Sequence, residues 1–258
     1  MLLTGASSGL GVALARRLSR AGRPLILIAR RGERLEEVAR ALPAPAVVVS
    51  LDLAREDRIK TLESRLSAAG IAPSQIEIVI NNAGMGYYGE FLDQTPESVR
   101  IHLRLNAEAP VEIGRWIVPK LVARGGGTVC NVASVAAFTS GALMTTYYAS
   151  KALLLSFGES LYEELRGTGV TVVTCCPGPF KSEFHANAGI DGDRLGSLPN
   201  AARIAAAIVR AIKRKRAVAP IGVTATIWAI LGPRLPRAWS RRIIHFVQKR
   251  RVKKIGER

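Results

Sequence analysis

A doubly wound α/β fold, its parallel sheet covered by helices on both faces, is predicted by three features of this 258-residue chain. Short Val/Ile/Leu runs at 25–29, 46–51, 76–80, 128–133 and 170–175 alternate with helical stretches. These runs are mostly apolar, as strands buried on both faces are. The chain also opens with a strand, a glycine-rich turn and an amphipathic helix in immediate succession. Its length fits one α/β domain with a sizeable core, and no internal repeat or low-complexity linker divides it.

The first strand is Met1-Leu2-Leu3. Only three residues precede Thr4, whereas a central strand usually has about five or six. Met1 is therefore read as a late start or a trimmed edge, and the fold is expected to survive at some cost in stability. Residues 4–11 read T-G-A-S-S-G-L-G and lead into Val12-Ala13-Leu14-Ala15-Arg16-Arg17-Leu18. That is the context a Rossmann-type dinucleotide-binding turn requires. Gly5 allows the tight turn, Gly9 close approach of backbone to a pyrophosphate, and Gly11 close packing of helix on sheet. The helix start supplies unpaired N–H groups and a positive dipole end for phosphates. A plain strand-to-helix turn is the bland alternative, and order and context favour the cofactor reading. Further helices are expected at 33–41, 55–69, 96–123 with a break near Pro110, 146–166 and 200–215, the first covering 9–21.

The second strand, Leu25 to Ala29, ends in Arg30-Arg31. Selection of NAD usually places Asp or Glu about 20 residues past the glycine turn, against the ribose 2′-hydroxyl. No acid occurs here before Glu33. Two guanidiniums suit a 2′-phosphate, which a planar fork of donors binds well. NADP(H) is therefore expected over NAD(H); otherwise the arginines merely solvate a helix start.

Tyr147 and Lys151 lie four residues apart in Y-Y-A-S-K, with Ser134 thirteen residues before the tyrosine. On a helix, positions i and i+4 share one face. A phenol with a free pKa of about 10 is a poor acid–base at neutral pH, and a neighbouring ammonium favours its ionised form. A serine hydroxyl on a strand end could complete a site that binds a carbonyl oxygen and exchanges its proton. Taken alone, Y-x-x-x-K more often means an exposed lysine packed over a ring.

Taken together, Thr4 to Gly11, Asp52 after a strand, Asn81-Asn82-Ala83-Gly84, Asn106, Ser134, Tyr147 with Lys151, and Pro177-Gly178 resemble the compact, single-domain short-chain dehydrogenase/reductase family from Met1 to about Pro220. The resemblance implies a parallel sheet of about seven strands. It implies Tyr147 as general acid–base, with Lys151 binding the nicotinamide ribose and lowering the tyrosine pKa. Ser134 orients the substrate oxygen, and Asn106 holds a water that relays protons to Lys151. Asn82, Ala83 and Gly84 line the cofactor, Asp52 meets the adenine edge, and Pro177-Gly178 with Ser182 holds the nicotinamide amide. The full set expected to bind cofactor is Thr4, Gly5, Ser7, Ser8, Gly9, Leu10, Gly11, Arg30, Arg31, Asp52, Leu53, Asn82, Ala83, Gly84, Tyr147, Lys151, Pro177, Gly178, Phe180 and Ser182. Tyr148 is the nearest competitor as acid–base, but it points about 100° away from Tyr147 on the helix. Relatives are commonly dimers or tetramers, so a homo-oligomer is expected.

Beside Ser134, the substrate wall is expected to include Met85, Phe138, Met144 and Phe184, with Tyr87 and Val135 nearby. The loop from Phe180 to Pro199 carries Gly189, Gly192 and Gly196 and reads as a lid. Few charges fall near the carbonyl site, so an apolar or lipid-derived ketone, aldehyde or secondary alcohol is expected. The competing classes are a catalytically weak NADP-binding sensor or membrane-associated scaffold, and an epimerase or dehydratase. Epimerases and dehydratases usually carry a larger substrate domain, which this length barely allows.

Three cysteines, Cys130, Cys175 and Cys176, fall in strands, without a C-x-x-C pair, and suggest reduced thiols in a cytoplasmic protein. Cys175 and Cys176 are expected on opposite faces of one strand. His102, His185 and His245 lack ligand-like spacing, so no metal is expected. No signal peptide is visible before the glycine motif.

Net charge is +17, and the residues from Arg210 onward hold fifteen Lys/Arg against the single acid Glu257. Residues 1–220 are accordingly read as the catalytic domain and 221–258 as a basic amphipathic extension. Ala217–Leu231 is a mostly apolar run of fifteen residues, short of the ~20 that span a bilayer. Beyond it Leu235, Trp239, Ile243, Phe246 and Val247 mark one helical face, with Arg234, Arg237, Arg241, Arg242, Lys249, Arg250 and Arg251 around the rest. A 234–251 helix of this kind fits an anionic membrane surface. It equally fits a helix folded back over the substrate cleft or a subunit interface. Basic tails also bind nucleic acid, but no nucleic-acid module accompanies this one and that partner is not expected.

Overall fold

The computed structural model of the chain describes residues 1–181 and 198–252. Ser182, Phe184 and the body of the expected lid lie outside the described residues. Seven parallel strands form one sheet in the order β3-β2-β1-β4-β5-β6-β7. They are β1 (Leu2–Thr4), β2 (Leu25–Ala29), β3 (Ala46–Ser50), β4 (Ile78–Asn81), β5 (Gly127–Val132), β6 (Val170–Pro177) and β7 (Val218–Ile221). The order reverses between β1 and β4, the point at which ligands bind outside the carboxyl ends of such strands.

Side-chain alternation along the strands splits the core in two. Leu3, Ile80, Cys130 and Val173 face the helices α1 (Gly9–Ser19) and α7 (Ala201–Arg214). Their neighbours Leu2, Val79, Val129 and Val172 face α3 (Arg58–Ala68) and α5 (Ala109–Ala123). All eight of these strand residues are fully buried. Cys175 and Cys176 divide the same way, one into each layer of packing. The three-residue β1 still pairs with both neighbours, and the Met1 ammonium donates to the Pro24 carbonyl at 3.0 Å. The remaining helices are α2 (Gly32–Arg40), α4 (Pro96–Leu103), α6 (Thr145–Glu164), α8 (Val223–Leu231) and α9 (Arg237–Val252).

Three features depart from the sequence reading. The break in the 96–123 helix is a π-helical turn at Arg104–Glu108, not a disruption at Pro110. Pro110 sits in the first turn of α5, where a missing N–H costs no helical bond. Arg58, 1% exposed, ties this turn down through Glu108 at 3.5 Å and Glu112 at 2.7 Å.

The apolar run 217–231 contains both β7 and α8, divided at Gly222. Its φ of 94° is one that residues with a Cβ rarely adopt. None of the helices among the described residues is long and apolar enough to cross a membrane.

Helix α9 folds back onto the body, but not with its apolar face. Ser240, Ile244 and Gln248 form the buried stripe. Trp239, Ile243, Phe246 and Val247 stay between 41% and 65% exposed. Polar anchoring decides the rotation: the Tyr88 hydroxyl donates to the Gln248 carbonyl, and Gln248 Nε2 donates to Tyr148 Oη at 3.0 Å.

Candidate active site

A cleft of about 530 Å³ opens at the carboxyl end of the sheet, across the reversal of strand order. The β1–α1 turn forms one wall. A Cβ on Gly11 would lie 2.0 Å from the Gly5 carbonyl oxygen, so only glycine lets α1 seat this closely on the turn. Gly5, at φ 67°, lies against Ala83, whose Cα a Cβ there would meet at 2.7 Å. Ser7, Ser8, Gly9 and Leu10 continue this wall. Ser8 makes no side-chain cap bond and the first turn of α1 holds no acid, so the dipole end facing the cleft is not neutralised by the chain.

Thr4 does not line the cleft. It is 1% exposed, and its hydroxyl accepts from the main-chain N–H groups of Asn82 and Ala83, each at 2.9 Å. The cofactor contact expected of Thr4 is thus replaced by a clamp. It holds the Asn82-Ala83-Gly84 loop against the glycine turn, helped by Asn82 Nδ2 donating to the Thr4 carbonyl at 3.0 Å. Arg30, Arg31, Asp52 and Leu53 line the adjoining end. Arg31 reaches Ser7 Oγ at 3.3 Å, and Asp52 Oδ1 accepts from the Ala54 N–H at 2.9 Å.

The opposite wall carries Ser134, Tyr147 and Lys151. Ser134 caps the 3-10 turn Val135–Phe138, its hydroxyl accepting from the Ala136 N–H at 3.2 Å. Tyr147 and Lys151 share a face of α6, with Lys151 Nζ 5.8 Å from the phenol ring and donating to the Val132 carbonyl at 2.9 Å. Burial pushes the Tyr147 phenol up to about 12, against the lowering effect of its hydrogen bond with Ser134. Burial also lowers the Lys151 ammonium to about 8. Lys151 was expected to depress the tyrosine; here desolvation prevails and the phenol keeps its proton.

Asn106, in the π-helical turn, is 1% exposed and stands behind the wall. Its Oδ1 accepts from the Met85 N–H at 2.9 Å, and its Nδ2 donates to the Met85 carbonyl at 2.8 Å and Ser150 Oγ at 3.2 Å. A Cβ on Gly84 would come within 3.3 Å of Asn106 Oδ1 and 3.4 Å of Lys151 Nζ, so these three residues pack as one group.

His102, fully buried, lies edge-on to Tyr147 with ring centroids 6.3 Å apart. Burial and then the Lys151 charge lower its pKa to about 4, so the ring is neutral at physiological pH.

Met85, Met144, Pro177, Gly178 and Phe180 line the remainder as expected. Phe138 does not. It packs with Ala133, Leu154 and Cys176, and its main chain is covered by Gly232 at the end of α8. Tyr148 and Gln248 line the cleft instead. Tyr148 was read as the competing acid–base that points away from Tyr147, and Gln248 carried no apolar or motif signal. Among the described residues no cluster of His, Cys, Asp or Glu could hold a metal.

The chain matches the short chain dehydrogenase family over residues 1–191. It is 30% identical over 219 residues to the ketoacyl reductase HetN of Nostoc sp., covering 83% of this chain and 75% of that protein. A short-chain dehydrogenase of Sphingobium yanoikuyae, solved in complex with NADPH, superposes with a TM-score of 0.80 at 32% identity, over 90% of this chain and 92% of that one. The bulky-bulky ketone specific alcohol dehydrogenase of Comamonas testosteroni gives 0.76 at 29% identity, over 90% of each chain. By this match and these likenesses, the chain belongs to the short-chain dehydrogenase/reductase family of NAD(P)-dependent oxidoreductases.

Proposed function

We propose that the protein uses NADPH to reduce the carbonyl of an apolar ketone or aldehyde, with Tyr147 as general acid. The observation that carries this reading is a partly buried phenol, hydrogen-bonded to Ser134 and with the Lys151 ammonium 5.8 Å from its ring, in the same cleft as the glycine turn. When bound, the nicotinamide supplies hydride to the carbonyl carbon. The Ser134 and Tyr147 hydroxyls donate to the substrate oxygen, and Tyr147 gives up its proton as that oxygen gains charge. Lys151, charged below about pH 8, stabilises the phenolate that remains. Asn106 has both Nδ2 protons committed to Met85 and Ser150, and its Oδ1 accepts from the Met85 N–H, so its carboxamide serves to hold the Met85 segment beside Lys151.

Arg30 and Arg31 at the end of β2, with no acid following in sequence before Glu33, support NADPH over NADH. The NADPH-bound relative points the same way. Met85, Met144 and Phe180 make an apolar wall, which supports a bulky or lipid-like substrate. NADPH oxidation against a ketone and aldehyde panel tests the reading; polar ketoses outperforming long-chain or alicyclic ketones would overturn the substrate class.

We also propose that α9 rests on anionic membrane. Its apolar residues Trp239, Ile243 and Phe246 are exposed beside Arg241, Arg242 and Lys249, which are exposed too. Each basic residue near such a surface adds about 1 kcal/mol. The protein is expected to sediment with vesicles containing phosphatidylglycerol but not with pure phosphatidylcholine. Release is expected in high salt, and Trp239→Ala with Phe246→Ala should weaken retention. Equal retention on neutral and anionic vesicles would refute it. The buried free thiols of Cys130, Cys175 and Cys176 support a cytoplasmic setting.

A further inference from the structure

We propose that His102 is a positioning residue for the reaction: its ring holds the Tyr147 phenol in place from a neighbouring helix, as a flat aromatic surface and not as an acid or base. The inference rests on the reading of Tyr147 as general acid and goes beyond it, to what fixes that acid.

His102 lies in the last turn of α4 and is fully buried. Its ring meets Tyr147 edge-on, with centroids 6.3 Å apart and planes at 65°, a geometry in which aromatic pairs attract. Tyr148 makes a similar contact at 6.3 Å, but it belongs to the same helix as Tyr147, as does Lys151. Ser134 holds the hydroxyl end of the phenol, and His102 ties the ring itself to a second helix.

The stretch that carries His102 reaches Tyr147 at another point. Helix α4 runs into the π-helical turn Arg104–Glu108, where Asn106 Nδ2 donates to Ser150 Oγ at 3.2 Å. Ser150 Oγ donates in turn to the Tyr147 carbonyl at 2.8 Å. Ring and main chain of the acid are thus both braced from residues 102–106. A shift of about 1 Å in a reacting group is enough to cost about 100-fold in rate.

The imidazole itself indicates how it acts. Both ring nitrogens are buried without a hydrogen-bond partner among the described residues. Unpaired buried polar atoms are costly and uncommon in folded proteins. An apolar side chain would fill the same volume without that cost, so what the site keeps is the plane of the ring. Burial and then the Lys151 charge hold its pKa at about 4. Neutral, it places no second positive charge beside the lysine that stabilises the phenolate.

The test uses full-length protein, NADPH and an apolar ketone. His102→Leu keeps the volume but not the plane, and is expected to lower kcat by about 10-fold or more. KM and NADPH affinity should stay within about 2-fold of wild type, since ground-state binding is untouched. His102→Phe keeps the plane without the nitrogens and should restore most of the loss. In a Tyr147→Phe background His102→Leu should remove nothing further, because effects that pass through one group do not add. Melting temperature reports that each variant is folded. Wild-type kcat in folded His102→Leu, a full further loss in the double variant, or a folded His102→Phe as slow as His102→Leu each overturns the assignment. If His102→Leu does not fold, His102→Phe decides alone: turnover near wild type supports the role of the ring, and a drop of about 10-fold refutes it. Retention of most activity by Tyr147→Phe would instead remove the general-acid reading, and this inference with it.

Discussion

Tyr147→Phe is expected to lower turnover in carbonyl reduction by about two or more orders of magnitude, while NADPH affinity and melting temperature stay near wild type. Phenylalanine keeps the ring, and with it the edge contacts to His102 and Tyr148 and the Lys151 ammonium 5.8 Å from the ring. It loses the hydrogen bond with Ser134 and the transferable proton. The pH profile of wild type carries the same logic. Lys151 has a pKa lowered to about 8, so its charge is lost as pH rises through that point. Tyr147, raised to about 12, is still protonated there. Reduction should therefore fall on the alkaline side at the lysine, well before the tyrosine titrates. Steady-state rates of the variant check the assignment; retention of most activity would move the acid to Tyr148.

Gly11→Ala is expected to abolish measurable NADPH binding and to destabilise the fold by about 1–3 kcal/mol or more. Its new methyl meets the Gly5 carbonyl oxygen at 2.0 Å and Ala6 Cα at 2.9 Å, both main-chain atoms that cannot swing aside. Either α1 lifts off β1 or the turn opens, and each moves the helix start away from its place under the phosphates. Gly22→Ala is the control, because a Cβ there meets nothing within 4 Å and pays only for its φ of 70°, about 1 kcal/mol. Fluorescence titration with NADPH and thermal unfolding separate the two; wild-type affinity in Gly11→Ala would show that the close packing does not matter to the cofactor.

Much of this architecture was legible because parallel strands buried on both faces leave a mostly apolar run, unbroken in Leu25–Ala29 and interrupted only by threonines in Val170–Pro177. The β7 strand was not separable, because its four residues run into an equally apolar helix with only Gly222 between. The helix break was expected at the proline, although Pro110 fits a first turn and the change of helical pitch lies at the π-helical turn carrying Asn106.

Within the site, Ser134, Tyr147 and Lys151 line one cleft with the glycine turn, while the residues that close it from a distance did not show in the sequence. Thr4 is a clamp and Phe138 is partly buried against the core, because short-range sequence says nothing of which side of a loop faces the cleft. Gln248 was invisible for a physical reason: the stripe Ser240, Ile244, Gln248 that packs inward is mostly polar. Apolar periodicity instead marked the face of α9 that stays exposed.

The most direct measurement is equilibrium binding of NADPH and NADH to the purified protein, followed by NADPH oxidation with apolar ketones and aldehydes. Tighter binding of NADPH, with turnover on an apolar carbonyl, is the predicted result. Preference for NADH would contradict the reading of Arg30 and Arg31. Tight NADPH binding without turnover on any carbonyl would contradict the reductase itself and leave a cofactor-sensing scaffold on the same fold.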